Sequence, residues 1–216
     1  MDTYDLAIFD FDGTLADSFP FFVSVYNDLA DRYRFRRVAA EEVAELRALE
    51  ASAIMRRVGM PLWKLPLVAG EFKRLMAGHR SGIPLFPGIA AALTRLDASG
   101  VKLAIVSSNS ADNVTAVVGA ALAPLIGHFE CGATIFGKRR LIDRVLKRSG
   151  VAKERAIYVG DQITDLEAAR AAGIAFGAVA WGYAEVSALE AHRPERVFRT
   201  VDDLSRLLSG PGPAPL

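Results

Sequence analysis

The chain has 216 residues and a nearly balanced charge, with 26 Lys and Arg against 25 Asp and Glu and a formal net charge of +1. About half of the residues, 51%, are hydrophobic, which is enough for a packed core and excludes disorder along the whole chain. A balanced charge offers no basic surface for nucleic acid or for an anionic membrane, so we expect small-molecule partners. The composition does not indicate an oligomeric state.

The single cysteine, Cys131, cannot form a disulfide within the chain or begin a structural zinc site. The first residues include Asp2 and Asp5, whereas a secretory leader would begin with basic residues. The longest apolar run, residues 174–184, is about half the length of a membrane span. We therefore expect a soluble, cytoplasmic protein.

Short apolar runs predict strands that are buried on both faces of a parallel sheet. These runs cover residues 6–9, 101–106, 156–159 and 174–180. Helical patterns lie around and between the later runs, at residues 89–98, 112–122, 138–149 and 165–172, and glycines follow several of them where a helix would end. The alternation of strand and helix predicts an α/β fold with a doubly wound, Rossmann-like parallel sheet.

A purely helical pattern interrupts this alternation after the first strand. Apolar side chains recur at helical spacing from Phe19 to Tyr33, and further helices are predicted at residues 41–49, 52–58 and 67–80. Gly82 and Pro84 mark the return to the α/β pattern.

These boundaries predict two domains and a tail. The α/β core would comprise residues 1–16 and 85–209, and the inserted helical cap would comprise residues 17–84. The last residues, 210–216, are mostly Gly and Pro, so we expect a disordered tail.

Two aspartates follow the first predicted strand directly, in the sequence Asp10-Phe11-Asp12-Gly13-Thr14. Open α/β sheets bind their ligands at the carboxyl ends of the strands, which is where these carboxylates would emerge. The alternative is a polar turn, since Asp and Gly are common turn residues. A chance match to the four fixed positions would occur about once in several hundred chains of ordinary composition, so we favour a functional site.

Polar residues also follow two later predicted strands. Ser107, Ser108 and Asn109 offer hydroxyl and backbone N–H groups that could surround a phosphate, or that could cap the next helix. Asp161 and Asp165 are four residues apart, and their alternative role is to cap and begin a helix.

The combination of these segments indicates a metal site. If the strands are neighbours, the carboxylates of Asp10, Asp12, Asp161 and Asp165 converge, and such close like charges require a counter-ion. Oxygen ligands without His or Cys favour Mg²⁺, which retains water and leaves room for a phosphate oxygen. Lys138 would balance the phosphate, unless it is an ordinary surface lysine.

The order of these motifs resembles the haloacid dehalogenase-like hydrolases. The resemblance rests on Asp-x-Asp-Gly-Thr at residues 10–14, Ser107, Lys138 and Gly-Asp-x-x-x-Asp at residues 160–165. The helical insertion is similar to the cap of the phosphoglycolate phosphatase and β-phosphoglucomutase branch. Two short strings, at residues 85–88 and 179–183, are also similar to phosphoglycolate phosphatase-like members.

The resemblance implies a Mg²⁺-dependent phosphatase that acts on a small phosphorylated metabolite. Asp10 would attack phosphorus and form an aspartyl-phosphate, while Asp12 would protonate the leaving oxygen and then activate water. Mg²⁺ would be held by the Asp10 carboxylate, the Asp12 backbone carbonyl and Asp161, with Asp165 contributing directly or through water. The phosphate would be bound by Ser107, Ser108, Asn109 and Lys138.

Some positions depart from the pattern of the family and leave alternatives open. In phosphoglycolate phosphatases the motif lysine is usually followed by Pro-x-Pro, but here Arg139 follows it and is an alternative phosphate ligand. A β-phosphoglucomutase has histidine where this chain has Phe22, which disfavours mutase activity. Phosphoglycolate phosphatases usually have Asp where this chain has Phe21, so the glycolate ester is only a default substrate.

Other activities of the same fold remain as alternatives. A phosphonatase would need a Schiff-base lysine from the cap, and Lys64 and Lys73 lie in no recognisable context for it. A sugar-phosphate phosphotransferase or mutase, or a non-catalytic member of the fold, would retain the same architecture.

Overall fold

The protein is described here from a computed structural model, which covers residues 3–47, 49, 51–132 and 137–208. The tail predicted at residues 210–216 lies outside the described residues. The described part of the chain alternates strands and helices, apart from a helical insertion that follows the first strand.

A parallel sheet lies at the centre of the fold. Its strands are β1 (Leu6–Phe9), β2 (Lys102–Val106), β3 (Ile126–Glu130), β4 (Ala156–Gly160), β5 (Ala175–Val179) and β6 (Arg196–Phe198). They are arranged in the order β3-β2-β1-β4-β5-β6. Strands β2 and β3 therefore lie on one side of β1, and β4, β5 and β6 lie on the other. The predicted doubly wound sheet is therefore confirmed, and its topological switch point lies between β1 and β4.

The two strands that the sequence did not reveal lie at the edges of the sheet. β3 has the sequence Ile-Gly-His-Phe-Glu, and β6 is only three residues long. Edge strands are less buried than central ones, so they need no continuous apolar run and give a weaker signal.

The helices agree closely with the predicted segments in the core and less closely in the insertion. They are α1 (Phe19–Tyr33), α2 (Val43–Arg47), α3 (Ala51–Arg57), α4 (Leu65–Ala77), α5 (Ile89–Ala98), α6 (Ala111–Leu122), α7 (Lys138–Ser149), α8 (Ile163–Ala172) and α9 (Val186–Ala191). Helix α8 begins two residues before the predicted start, and its N-cap is Gln162, so the alternative role of Asp161 as the cap is wrong. None of the helices in the described ranges is long and apolar enough to cross a membrane.

The central strand β1 is buried on both faces of the sheet. Ala7 and Phe9 contact the apolar cluster that includes α5 and α6, whereas Leu6 and Ile8 contact the cluster that includes α7 and α8. Alternate residues of a strand point to opposite faces, so a strand covered on both sides needs apolar residues at every position. This explains the continuous run Leu-Ala-Ile-Phe.

The helical insertion leaves and rejoins the core at nearly the same place. The Asp17 N–H donates to the Pro84 carbonyl, and the Phe86 N–H donates to the Leu15 carbonyl, each at 2.9 Å. Within the insertion, α1 and α4 pack through aromatic rings, with Phe21 and Phe22 against Phe72. A separate small apolar cluster is formed by Val38, Leu46 and Val58.

The packing of α5 against the sheet gives a direct test of the core. Leu93 is fully buried, so Leu93→Ala should lower the free energy of unfolding by about 2–5 kcal/mol through lost burial and a residual cavity. Leu67 on α4 is 54% exposed, and Leu67→Ala should cost less than about 0.5 kcal/mol. Denaturant unfolding of both variants measures the difference, and equal losses would contradict this assignment of the core.

Candidate functional site

Buried carboxylates surround a buried lysine at the carboxyl ends of β1 and β4. Oxygen atoms of Asp10, Asp161 and Asp165 all lie within 4.8 Å of one another. The Lys138 Nζ lies 2.9 Å from Asp10 Oδ2 and 2.6 Å from Asp165 Oδ1. Three acids and one base therefore share a small volume, and the group carries a net negative charge when all of them are ionised.

The fold explains why these side chains meet. Asp10 directly follows β1 and continues the alternation of Leu6 and Ile8, so it faces α7 and α8. Lys138 is the first residue of α7. Asp161 directly follows β4, and Asp165 lies in the first turn of α8. The switch point between β1 and β4 thus brings residues from distant parts of the sequence to one edge of the sheet.

Burial and mutual repulsion shift the pKa values of these acids. The pKa of Asp10 is raised well above its ordinary value by burial and by Asp165 and Asp161, although Lys138 opposes the shift. The pKa of Asp161 is raised to about 7, by burial first and by Asp165 second. Burial alone would lower the pKa of Lys138, but Asp10 and Asp165 outweigh burial and raise it, so this lysine stays charged.

Asp161 is held in a close-fitting cradle. Its Oδ1 accepts from the Thr14 hydroxyl at 3.1 Å, and its Oδ2 accepts from the Tyr183 backbone N–H at 2.7 Å. Gly13 has a φ of +78°, and a Cβ there would lie 2.3 Å from Asp161 Oδ2. A Cβ at Gly182 would lie 2.1 Å from the Asp161 Cβ. Both glycines are therefore required by the close approach of Asp161 to the backbone.

Asp12 lies beside the cluster but has its own partners. Its Oδ1 accepts from the Ser18 hydroxyl at 2.8 Å, and its Oδ2 accepts from Asn109 Nδ2 at 2.9 Å. Burial raises the pKa of Asp12, while the Ser18 and Asn109 donors and the charges of Lys138 and Lys73 lower it. The carboxylate of Asp12 is thus oriented by two neutral donors rather than by the lysine of the cluster.

The predicted phosphate ligands differ in how they are placed. Ser107 is buried and its hydroxyl accepts from the Asn109 N–H at 3.0 Å, whereas Ser108 is half-buried. Lys138 reaches the acidic cluster, whereas the alternative cation Arg139 is exposed and pairs with Asp143 at 3.7 Å.

Several supporting residues were not identified from the sequence. The Tyr158 hydroxyl lies 3.1 Å from the Val106 carbonyl and 3.4 Å from Asp165 Oδ1. The Tyr183 hydroxyl lies 2.7 Å from the Ser18 hydroxyl. Tyr158 lies in an otherwise apolar strand. Its hydroxyl, in a strand predicted to be buried, is the only feature of the sequence that indicates a hydrogen-bonding role. Tyr183 lies in the string at residues 179–183, which was noted only for its similarity to phosphoglycolate phosphatase-like proteins. Ser18 was not predicted to have a role in the site.

A cavity of about 410 Å³ lies between the insertion and the core beside this cluster. Phe22 contributes to its wall, together with Tyr183 and with Gln162 and Thr164 from the start of α8. Most of the other lining side chains are apolar, and most of them belong to the helical insertion. Phe21, in contrast, packs against Phe72 and His79. Of the paired phenylalanines, only Phe22 faces the cavity.

Comparison with known proteins agrees with this geometry. Residues 7–179 match the family described as haloacid dehalogenase-like hydrolase. The chain belongs to that family. This is a family of enzymes, and the resemblance predicted from the sequence is confirmed.

Individual relatives extend the match over nearly the whole chain. A phosphoglycolate phosphatase from Synechococcus elongatus is 34% identical over 198 residues, which are 91% of this chain and 93% of that protein. One from Xanthomonas campestris is 29% identical and covers 82% of this chain and 83% of its own. The structure of a haloacid dehalogenase-like family hydrolase from Streptococcus pneumoniae superposes with a TM-score of 0.76 at 19% identity, covering 94% and 98% of the two chains. That structure supports the fold.

The acidic cluster suits a hard divalent cation. All of its donors are carboxylate oxygens, which Mg²⁺ prefers, and they lie close enough together to share one ion. The raised pKa of Asp161 shows that the ionised cluster lacks positive charge, because burial and Asp165 both oppose its ionisation. A bound divalent cation would reverse that balance.

The raised pKa of Asp161 also predicts how stability depends on pH in this haloacid dehalogenase-like hydrolase. Since its pKa rises from 3.8 to about 7 on folding, its contribution to stability is present in acid and is lost as the pH approaches 7. We compare the free energy of unfolding of wild type and Asp161→Asn with a chelator present. Between about pH 5 and pH 8, wild type should lose at least about 1.4 kcal/mol relative to the variant. Even a tenfold change in the acid dissociation constant on folding corresponds to that free energy.

Denaturant unfolding at both pH values measures this change. Added Mg²⁺ should stabilise wild type and not Asp161→Asn. A difference between the two proteins that stays constant with pH would contradict the assigned environment of Asp161.

Proposed function

We propose that the chain is a Mg²⁺-dependent phosphatase that hydrolyses a small phosphorylated metabolite through an aspartyl-phosphate. The observation that carries the proposal is the placement of Asp10 against Lys138, with Asp12 on the neighbouring turn. The names of the relatives, phosphoglycolate phosphatases, support the class of substrate.

In the first step an oxygen of Asp10 attacks phosphorus, and the bond from phosphorus to the ester oxygen breaks. Asp12 gives its proton to that oxygen, so the alcohol leaves neutral. In the second step Asp12 takes a proton from water, whose oxygen attacks phosphorus and releases phosphate from Asp10. Covalent catalysis divides one difficult hydrolysis into two displacements.

Charge on the transferred phosphoryl group is balanced by Lys138 and by the cation that Asp10, Asp161 and the Asp12 backbone carbonyl would hold. A divalent cation at this position supplies positive charge for the equatorial oxygens, which is the main requirement of phosphoryl transfer. Ser107, Ser108 and the backbone N–H groups near them would complete the phosphate site.

We assign Asp165 an indirect part in metal binding. Its Oδ1 accepts from Lys138 and lies 3.4 Å from the Tyr158 hydroxyl, and its Oδ2 accepts from the Gln162 N–H at 3.2 Å. These donors already orient both oxygens. The contacts therefore support a role in holding Lys138, with any contribution to the cation made through water.

Residues 17–84 would act as a cap that closes over the substrate, with hinges near residues 16–17 and 81–82. The hydrogen bonds that pair the two linkers support these boundaries. Closure would exclude water from the phosphoryl group and strengthen the electrostatic interactions within the site. The cavity beside Phe22 would receive the alcohol part of the ester.

Water is the acceptor that this arrangement favours. The position at which a mutase carries histidine is Phe22, whose ring packs against Tyr26, Phe72 and Tyr183. A sugar acceptor must lose its hydroxyl proton as it attacks phosphorus, and the Phe22 side chain carries no group that could take that proton.

The central test is substitution of the nucleophile. Asp10→Asn should reduce phosphate release by at least about 10³-fold, because an amide cannot form the covalent intermediate. The measurement is phosphate release from phosphoglycolate, sugar phosphates and p-nitrophenyl phosphate, with Mg²⁺ and with excess chelator. Asp97→Asn, at an exposed position on α5, is the matched control and should retain wild-type rates. Near-wild-type turnover by folded Asp10→Asn would refute the proposed mechanism.

Lys73 is a candidate to recognise the carboxylate of an alcohol such as glycolate in the substrate. This half-buried residue of α4 lies close enough to Asp12 for its charge to lower the pKa of that carboxyl. Lys73→Met should raise KM for phosphoglycolate up to about fivefold, because a partly exposed charge pair is worth up to about 1 kcal/mol, and should leave KM for p-nitrophenyl phosphate nearly unchanged.

The matched control for Lys73→Met is Lys64→Met. Lys64 Nζ donates to the carbonyls of Tyr33 and Arg34 at the end of α1, so its loss should not distinguish the two esters. Equal changes in KM for both esters in Lys73→Met would show that Lys73 does not recognise the carboxylate.

A further inference from the structure

A chain of side-chain amides connects Asp12 to the last part of the helical insertion. Asn109 Nδ2 donates to Asp12 Oδ2 at 2.9 Å, and Asn113 Nδ2 donates to Asn109 Oδ1 at 3.0 Å. At the far end, Arg80 Nε donates to Asn113 Oδ1 at 2.9 Å. We call Asn109 and Asn113 the amide pair.

The hydrogen bonds fix the direction in which each amide points. The Ser110 backbone N–H donates to Asn109 Oδ1 at 2.8 Å, so the NH₂ group of Asn109 must face Asp12. Asn113 receives the Arg80 donor on its oxygen, so its NH₂ group faces Asn109 and the Lys73 carbonyl, the latter at 2.9 Å. Rotation of either amide by half a turn would bring donors against donors.

The amide pair is buried where the insertion meets the core. Asn109 is 2% exposed and Asn113 is fully buried. Their neighbours in the insertion are the Lys73 carbonyl and the Met76 sulfur of α4, and Arg80 from the segment that leads back to the core. A buried amide is stable only with its partners in place, so the pair depends on the docked position of α4.

The other oxygen of Asp12 is held from the opposite end of the insertion. Ser18, which donates to Asp12 Oδ1, immediately precedes α1. One carboxylate is therefore held through both connections between the insertion and the core. Full orientation of Asp12 requires both of them to be docked.

We propose that Asn113 is a positioning residue, which docks α4 against α6 and, through Asn109, holds Asp12 where its proton reaches the leaving oxygen. The catalytic part of this inference rests on the proposed function. Asn113 itself does not touch the substrate, because Asn109 stands between it and Asp12.

The effect of misplacing Asp12 on the rate depends on the leaving group of the ester. An alkyl ester such as phosphoglycolate leaves as a strongly basic alkoxide, so the ester oxygen must take the Asp12 proton as its bond to phosphorus breaks. The p-nitrophenolate anion is a weak base and leaves without a proton. The kcat/KM of each ester reports the steps up to release of the alcohol, so the later activation of water by Asp12 does not enter it. In kcat/KM, misplacement of Asp12 should therefore slow the alkyl ester selectively, whereas a general loss of structure would slow both esters.

The experiment compares wild type with Asn113→Ala on both esters and by hydrogen–deuterium exchange. The variant should lose about tenfold in kcat/KM on phosphoglycolate, part of the roughly 10²- to 10⁴-fold that a positioned proton donor contributes. It should lose less than about threefold on p-nitrophenyl phosphate, since that leaving group requires no proton. Exchange in residues 73–82 should become faster, while exchange in β4 should not change.

Ser110→Ala is the matched control. The Ser110 hydroxyl caps α6 by accepting from the Asn113 N–H at 3.2 Å, so the control weakens the same helical turn and retains the amide pair. It should leave the ratio of the two kcat/KM values unchanged. Arg80→Ala, at a half-buried position, removes only the outer donor and should shift the ratio in the same direction by a smaller factor.

An equal loss on both esters in Asn113→Ala, or no loss on either, would overturn the positioning role. If Asn113→Ala does not fold, an unchanged ratio in Arg80→Ala would overturn it instead. If wild type hydrolyses neither ester, the proposed function fails separately, and unchanged exchange in residues 73–82 would still refute the docking role of Asn113.

Discussion

Repulsion among buried carboxylates is the constraint on which the rest of this site depends. Asp10, Asp161 and Asp165 lie within 4.8 Å of one another, where ionised groups out of water repel strongly. Lys138 relieves part of the repulsion, while burial first and Asp165 second keep the pKa of Asp161 raised. The site is therefore prepared for further positive charge. A scaffold with only a structural role would gain stability by losing one of these acids.

The doubly wound sheet makes such a concentration of charge possible. At the switch point the chain leaves β1 and β4 toward opposite faces of the sheet, where α5 and α8 pack, and such a reversal opens a crevice at the carboxyl ends of these strands. The cost of burying the acids is offset elsewhere, since β1 and β4 are buried throughout, are apolar apart from the Tyr158 hydroxyl, and are covered by helices on both faces. Close backbone approach at Gly13 and Gly182 then supplies the cradle for Asp161.

The sequence predicts those features that depend on local patterns. Continuous apolar runs revealed β1, β2, β4 and β5, and amphipathic spacing gave the bounds of α5 and α7. The acids and Lys138 were recognised because each follows a strand or begins a helix. Contacts between side chains distant in sequence could not be inferred in this way. Tyr158 reads as one more buried strand residue, and Asn113 reads as an ordinary residue in the first turn of a helix. Their partners are apparent only once α4, α6 and β2 are assembled.

The division of hydrogen bonds between Asp12 and Asp161 explains how two nearby acids can differ in behaviour. Asp161 accepts from two groups of the core, the Thr14 hydroxyl and the Tyr183 N–H. The insertion contacts this environment through Arg47, which donates to the Gly182 and Tyr183 carbonyls rather than to Asp161 itself. Asp12 accepts from Ser18, where the insertion begins, and from Asn109, which is held through Asn113 beneath α4. A group that holds a cation must be in place before the substrate arrives, whereas a group that transfers a proton is needed only when the site is closed. In the proposed mechanism the cation ligand Asp161 is thus bonded directly to groups of the core, and the proton donor Asp12 is bonded in part to the segment that would close over the substrate.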